Sequence, residues 1–261
     1  LRCFEDADIT HVSGKLDPLA DFEVVEPELM LADMDSLEKR KQNVEKKAKG
    51  GDKEAVQTLA LIGKALEQLN AGKPARRAKI DAEDVKAWKM LQLLTSKPVF
   101  YICNVDEGSA GTGNAFSDAV VKHAQAEGSA AVVISAKIES EVAVLSDDEQ
   151  KEFLESLGLE EPGLNRVIRA GYELLGLQTY FTVGPKEARA WTIRKGTTAP
   201  QAAGVIHGDF EKGFIKAETI AFDDYVKFKG ESGAKEAGKA RQEGKEYIVQ
   251  DGDVMHFRFN V

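Results

Sequence analysis

Cysteine is almost absent: Cys3 and Cys103 are the only two in 261 residues. That excludes a disulfide framework. Each lies in an apolar, strand-like run, so both read as reduced, buried thiols of a cytosolic protein. Histidine is nearly as sparse, at four residues. No His/Cys cluster has metal-ligand spacing, and neither a Gly-x-Ser-x-Gly elbow nor a Cys/His dyad occurs. No apolar run approaches ~20 residues and no signal peptide precedes the fold, so no membrane partner is expected and the chain reads as cytoplasmic. An excess of positive charge is missing too. The net charge of −9 argues against a protein coated in basic surface for nucleic acid, though it leaves room for local patches. There is no initiator Met. The chain opens mid-strand at Leu1-Arg2-Cys3-Phe4, and sequence upstream of Leu1 is expected.

The pattern that is present changes twice along the chain. Leu1 to Phe4 reads as a strand. From Pro27, which suits a helical first turn, Met30, Met34, Leu37, Val44 and Ala48 form one apolar stripe. A Gly50-Gly51 turn follows, then a second stripe of Val56, Leu59, Ile62, Leu66 and Leu69. Together they predict a helical hairpin resembling an antiparallel coiled coil. Asp81 reads as the cap of a third helix, Ala82 to Leu94.

The middle of the chain is α/β in style. Val99 to Cys103 and Ala130 to Ile134 read as buried strands flanking a helix from Ala115 to Glu127 that Gly128 closes. Ser146 and Glu149 predict a capping box for a helix ending near Leu157, and Leu164 to Leu175 reads as helical. Beyond Leu177 a small mixed sheet with a helix across it is expected. Its strands are Thr179–Val183, Ala188–Ile193, Phe214–Ala221 and Val254–Val261, its helix Ala199–Phe210, and its reading is a ubiquitin-like module.

Chemistry concentrates at the strand ends. The first strand stops at Asn104-Val105-Asp106-Glu107, where a GTPase-type fold would carry Asn-Lys-x-Asp to read guanine. Val105 replaces the Lys that covers the base, and Glu107 replaces the Asp that accepts from guanine N1–H and N2–H₂. That hints at a purine site no longer tuned to guanine. Ser135-Ala136-Lys137 ends the next strand about thirty residues on, the spacing of a second base-contacting loop. His11 lies in a polar loop. It reads either as a surface residue or as a group orienting water for phosphate attack, and spacing alone does not choose. Lys39, Arg40, Lys41, Lys46, Lys47, Lys49 and Lys53 crowd the hairpin end, with Arg76 and Arg77 after it. Such runs are either solvated faces or, on an acidic chain, a phosphate-seeking tip. Gly108 to Gly113 lacks the Gly-Lys-Ser/Thr of a phosphate loop, so this stretch alone should not hydrolyse a nucleotide.

Arg-Cys-Phe-Glu-Asp at 2–6, His-Val-Ser-Gly at 11–14, Lys-Ala-Lys-Gly-Gly-Asp-Lys at 47–53, the run from Gly158 to Tyr172 and the closing Asp-Gly-Asp-Val-Met-His-Phe-Arg-Phe-Asn-Val resemble the Obg-like ATPase family, also called YchF. The resemblance covers essentially the whole chain. It implies an α/β fold: part of a Ras-like P-loop NTPase domain (1–24 and 96–176), an inserted α-helical coiled-coil arm (25–95), and a C-terminal β-grasp, or TGS, domain (177–261). It also implies that Asn104, Val105 (through its backbone) and Glu107 contact adenine, with Ser135 and Ala136 as the partner loop. ATP is then the substrate, with GTP weaker. His11 is implied as the catalytic residue that compensates for a missing water-orienting Gln. Mg²⁺ is implied with ATP, its ligands and the phosphate loop being expected upstream of Leu1, so that the chain alone would be inactive. A monomer is expected. The ribosome or RNA is the implied partner through the arm (Lys39, Arg40, Lys46, Lys47, Lys49, Lys53) and the TGS domain. The alternative is an RNA- or ribosome-binding module in which nucleotide hydrolysis is incidental or absent.

Overall fold

The structure, a computed structural model, describes residues 1–6 and 14–260. The chain divides into two compact units, Leu1–Ala170 and Gly171–Val261.

In the first unit, helix α1 (Pro18–Lys49) and helix α2 (Lys53–Asn70) form the hairpin. α1 starts nine residues earlier than Pro27 suggests. Asp17 caps it by accepting from the Ala20 N–H, Pro18 takes the first turn, and Pro27 lies inside the helix. Only one intrahelical hydrogen bond is lost at such a proline, and the buried stripe from Met30 to Leu37 continues beyond it. The α2 stripe is also displaced. Ala55, Leu61, Ile62, Ala65 and Leu69 face the core, while Val56 is exposed. Asp52 caps α2 through Glu54 and Ala55, and Gly51, at φ 88°, makes the turn that only glycine adopts without strain.

The expected third helix is mostly absent. A 3₁₀ turn at Ala82–Asp84 leads into one short helix, α3 (Val85–Lys89), and Gln92 at φ 57° turns the chain back. The turn buries Trp88, Leu91 and Leu93 against the hairpin base. It also delivers the Leu94 and Thr95 N–H groups to Asp33, a 3%-exposed carboxylate on α1 (2.7 and 2.8 Å), which the Thr95 hydroxyl joins at 2.6 Å.

Two parallel strands follow, β1 (Tyr101–Asn104) and β2 (Ala131–Ile134), joined by helix α4 (Ala115–Glu127). α4 runs between an Asn114 capping box and a left-handed Gly128, the bounds its caps dictate. The first residues lie along the free edge of β1 as a single parallel bridge, Arg2↔Asn104, with Cys3 N–H donating to the Asn104 carbonyl (2.7 Å). Cys3 and Cys103 are free, buried thiols. Helices α5 (Ala136–Val142), α6 (Asp147–Ser156) and α7 (Gly163–Leu174) come next, α6 with the Ser146/Glu149 capping box. Glu139 on α5 holds the start of α7, accepting from the Gly163 and Leu164 N–H groups.

The second unit is a five-stranded mixed sheet in the order β4-β3-β7-β5-β6, from β3 (Leu177–Val183), β4 (Ala188–Arg194), β5 (Phe214–Ile220), β6 (Arg241–Glu243) and β7 (Val254–Phe259). The expected single helix is two, α8 (Ala199–Ile206) and α9 (Gly208–Lys212), because His207 is extended and its imidazole caps α9 by accepting from the Asp209 N–H. α8 covers one sheet face, where Tyr180 donates to the Ala202 carbonyl at 2.9 Å. Short helices α10 (Phe222–Lys227) and α11 (Glu231–Glu236), like β6, have no counterpart in the sequence-based expectation.

Candidate functional site

β1 and β2 pair in register from Tyr101↔Ala131 to Asn104↔Ile134, so the two chemistry-bearing loops leave the same edge of the sheet. The Val105 N–H extends the ladder to the Ile134 carbonyl (2.8 Å), and its side chain is buried. That N–H is therefore spent on the fold. Asp106 is structural as well: its carboxylate caps the 3₁₀ turn Glu107–Ser109 through the Ser109 N–H and hydroxyl.

Asn104 bridges the loops. Its Oδ1 accepts from the Ala136 N–H at 2.8 Å. Because the donor is a backbone N–H, the amide orientation is fixed, and Nδ2 is left without a protein partner among the described residues. An oriented amide donor is what a purine N7 would meet. Ser135 sits at the cap position of α5 with its hydroxyl buried and unpartnered among the described residues, and Ala136 opens the helix.

The expectation did not anticipate the second bridge, between Glu107 and Lys137. The Lys137 ammonium holds the Glu107 carboxyl below its usual value of 4.5, and Glu107 in turn raises Lys137. The pair is therefore fully charged at neutral pH and is lost as pH falls through the depressed Glu107 value. The sequence signal was the opposite charge of these two residues at the ends of neighbouring strands. His11, the expected catalytic residue, lies outside the described residues.

Among the described residues no three of His, Cys, Asp and Glu stand together as a metal site.

The basic residues separate into two groups. Lys39 pairs with Asp35 (2.6 Å), Lys41 with Glu45 (3.8 Å), and Arg40 donates to the Met90 carbonyl (2.9 Å), all along the hairpin shaft. Arg76 and Arg77 are tied to Glu26 and Glu127 at its base. Lys46, Lys47 and Lys49 occupy the last turn of α1, where the helix dipole favours cations, and Lys53 opens α2 across the turn. These four make no ion pair among the described residues. The tip proper is thus smaller than the sequence run.

A parallel β–α–β unit with two bridged polar loops beyond its strand ends, in a chain that also carries a helical hairpin and a separate mixed-sheet unit, defines an α/β protein with a candidate ligand site of the open-sheet kind. A family model described as YchF-GTPase_C, protein of unknown function (DUF933), matches residues 177–260. The ribosome-binding ATPase YchF of Haemophilus influenzae is 57% identical over 261 residues, 100% of this chain and 72% of that protein. The Bacillus subtilis protein of the same name is 52% identical over 263 aligned residues, with the same coverage of 100% and 72%. The solved Schizosaccharomyces pombe YchF GTPase matches 98% of this chain and 70% of its own at a TM-score of 0.79 and 34% identity. A GTP-binding protein of Pyrococcus horikoshii, at a TM-score of 0.60 and 18% identity, shares the fold. The chain belongs to the YchF family.

Proposed function

We propose that this protein is a ribosome-associated ATPase that takes ATP in preference to GTP. On this reading residues 1–24 and 96–176 belong to the nucleotide domain, 25–95 to a coiled-coil arm and 177–261 to a TGS domain. His11 orients the attacking water, and the protein works as a cytoplasmic monomer. Relatives carrying the name ribosome-binding ATPase support the activity and the partner. No helix among the described residues is long and apolar enough to cross a membrane.

The observation that carries the base preference is the double bridge Asn104–Ala136 and Glu107–Lys137. Guanine offers donors at N1 and N2, which an aspartate would accept. Adenine offers only an acceptor at N1, which a carboxylate repels. Lys137 draws the Glu107 carboxylate aside, leaving Asn104 Nδ2 to address N7. Shortening the carboxylate with Glu107→Asp frees it from Lys137 and is expected to reduce the ATP-over-GTP binding ratio by about ten-fold, the value of one good hydrogen-bonded discrimination. Competition titration of the two nucleotides measures it, and an unchanged ratio would remove Glu107 as selector.

For the ribosome, Lys46, Lys47 and Lys49 are cations of the last turn of α1 that make no ion pair among the described residues. Their combined replacement by Gln is expected to weaken ribosome co-sedimentation and to reduce the slope of log K against log salt by about 2–3, following ~0.7–0.9 per phosphate contact. An unaltered slope would return the tip to a solvated face.

A further inference from the structure

The mixed sheet of the second unit runs β4-β3-β7-β5-β6, so β4 and β6 are its two edges. The β6 edge is only three residues long. β4 is different: seven residues, Ala188–Arg194, pair with β3 in unbroken register from Leu177↔Arg194 to Val183↔Ala188. The ladder closes at each end with a 2.8 Å bond, Gly184 N–H to the Glu187 carbonyl and Lys195 N–H to the Gly176 carbonyl. Antiparallel pairing alternates, so Arg189, Trp191 and Ile193 turn their backbone groups inward to β3, and Ala188, Ala190 and Thr192 turn theirs outward. The partner strand agrees. Thr179 and Phe181, opposite Thr192 and Ala190, point their N–H groups away from β4, to the Asp251 carboxylate (2.7 Å) and the Asp253 carbonyl (2.8 Å). Among the described residues nothing bonds the outward N–H and C=O groups of Ala188, Ala190 and Thr192.

An open edge of this kind pairs with any extended chain that fits it, and folds usually blunt it with a proline, a bulge or extreme shortness. β4 has none of the three. Its side chains leave room as well. Ala188, Ala190 and Thr192 are small and exposed on one face, and Trp191 is only half-buried on the α8 face. Charge selects the occupant. Lys186 precedes the strand and Lys195 follows it, while Arg189 lies on the α8 face, 4.1 Å over the Trp191 ring, and Arg194 on the opposite face. Glu187 is the single carboxylate from residue 184 to 197. A segment laid along the edge thus meets cations at both ends and on both faces. A second copy of β4 would bring the same cations against them, which disfavours self-pairing. An extended segment rich in Asp and Glu is favoured instead.

We propose that the β4 edge is a docking site for an extended acidic segment of a partner protein, which adds to the five-stranded sheet as a further strand. Main-chain bonds to Ala188, Ala190 and Thr192 supply the affinity, and the flanking cations supply the preference for acidic sequence. Alternate side chains of the added strand stand on the α8 face, where an apolar one packs beside Trp191. The inference goes beyond the nucleotide and ribosome readings and stands if either falls.

The probe is a labelled peptide of alternating Glu and Val, titrated by anisotropy against the whole chain, with amide exchange of β4 followed by NMR. Saturable binding is expected, and the Ala188, Ala190 and Thr192 amides should exchange about ten-fold more slowly at saturation. A peptide of alternating Lys and Val should bind about ten-fold more weakly. Ala190→Pro is the informative variant. The Ala190 N–H lies outside the β3 ladder, so the ring removes no ladder bond yet blocks the edge. Binding about ten-fold weaker is expected, the value of one lost hydrogen bond. Should the proline disturb β4, two N-methylated peptides, blocked on the Glu or on the Val amides, test the parent chain instead. One of the two should lose binding, because one set of amides faces β4. Arg189→Gln should weaken binding several-fold and lessen its salt dependence. No saturable binding, or equal binding of the acidic and basic peptides, overturns the proposal. So does parent-like binding by Ala190→Pro or by both N-methylated peptides, and so does protection of the β4 amides by a second copy or an oligoribonucleotide but not by the peptide.

Discussion

Asp33→Ala is expected to cost the first unit about 3–4 kcal/mol, read as a lower urea midpoint of its helical signal. The carboxylate is buried on α1 and accepts from two backbone N–H groups and one hydroxyl, on Leu94 and Thr95. Removing it leaves three donors facing a small, dry gap. Each unsatisfied buried group costs about 1–3 kcal/mol, less whatever water recovers by entering the space. Asp33→Asn keeps the volume but turns an NH₂ toward at least one donor, so roughly half the loss is expected. The effect has a direction as well as a size. Leu94 and Thr95 end the hairpin base and lead into β1, and the Thr95 hydroxyl in turn accepts from the Ala75 N–H. Asp33 therefore ties the hairpin to the chain that supplies Asn104. A loss below about 1 kcal/mol would mean that this junction is hydrated and the tie is weak.

How much of this was legible in the sequence depended on whether the signal was local. The end of α4 could be placed at Gly128 because a cap is a property of adjacent residues. The strand–helix–strand spacing that places Asn104 near Ser135-Ala136 was readable for the same reason. The start of α1 was not: Pro27 fits a first turn, but Pro18 with Asp17 fits better, and the packing of Met30 and Leu37 beyond Pro27 outweighs the cost of an interior proline. The break at His207 was hidden because α8 and α9 together keep a helical composition. α10, α11 and β6 are too short to show a period. Asp33 reads in sequence as one more polar residue of α1, since its partners lie about sixty residues away. The basic run blurred for a related reason. Charge counts cannot separate Lys46, Lys47 and Lys49 from Lys39 and Arg40, which the fold has already engaged. The Glu107–Lys137 bridge spans two loops and emerges only when both strands are laid in register.

Gly213→Ala should unsettle the second unit by a comparable amount. At φ −90° Gly213 is not in a conformation reserved for glycine, so the reason is space. A Cβ there would stand 1.9 Å from the Asn260 carbonyl oxygen and 2.8 Å from its carbon. Both are backbone atoms and cannot rotate aside, and the Asn260 N–H meanwhile donates to the Gly213 carbonyl at 2.9 Å. Accommodating the methyl must push the end of β7 away, breaking that hydrogen bond and lifting Phe259 off Phe210. A cost of about 3 kcal/mol is expected, as for other overpacked sites, lowering the Tm of a unit this size by roughly 15 °C. Gly244→Ala is the control: nothing lies within 4 Å of its Cβ position, so a small shift is expected there. The control separates steric conflict from the entropy that any glycine replacement alters in the unfolded chain. If the variant melts with the parent, β7 yields freely at Asn260, and the Phe210–Phe259 stack is not held in place by this close approach.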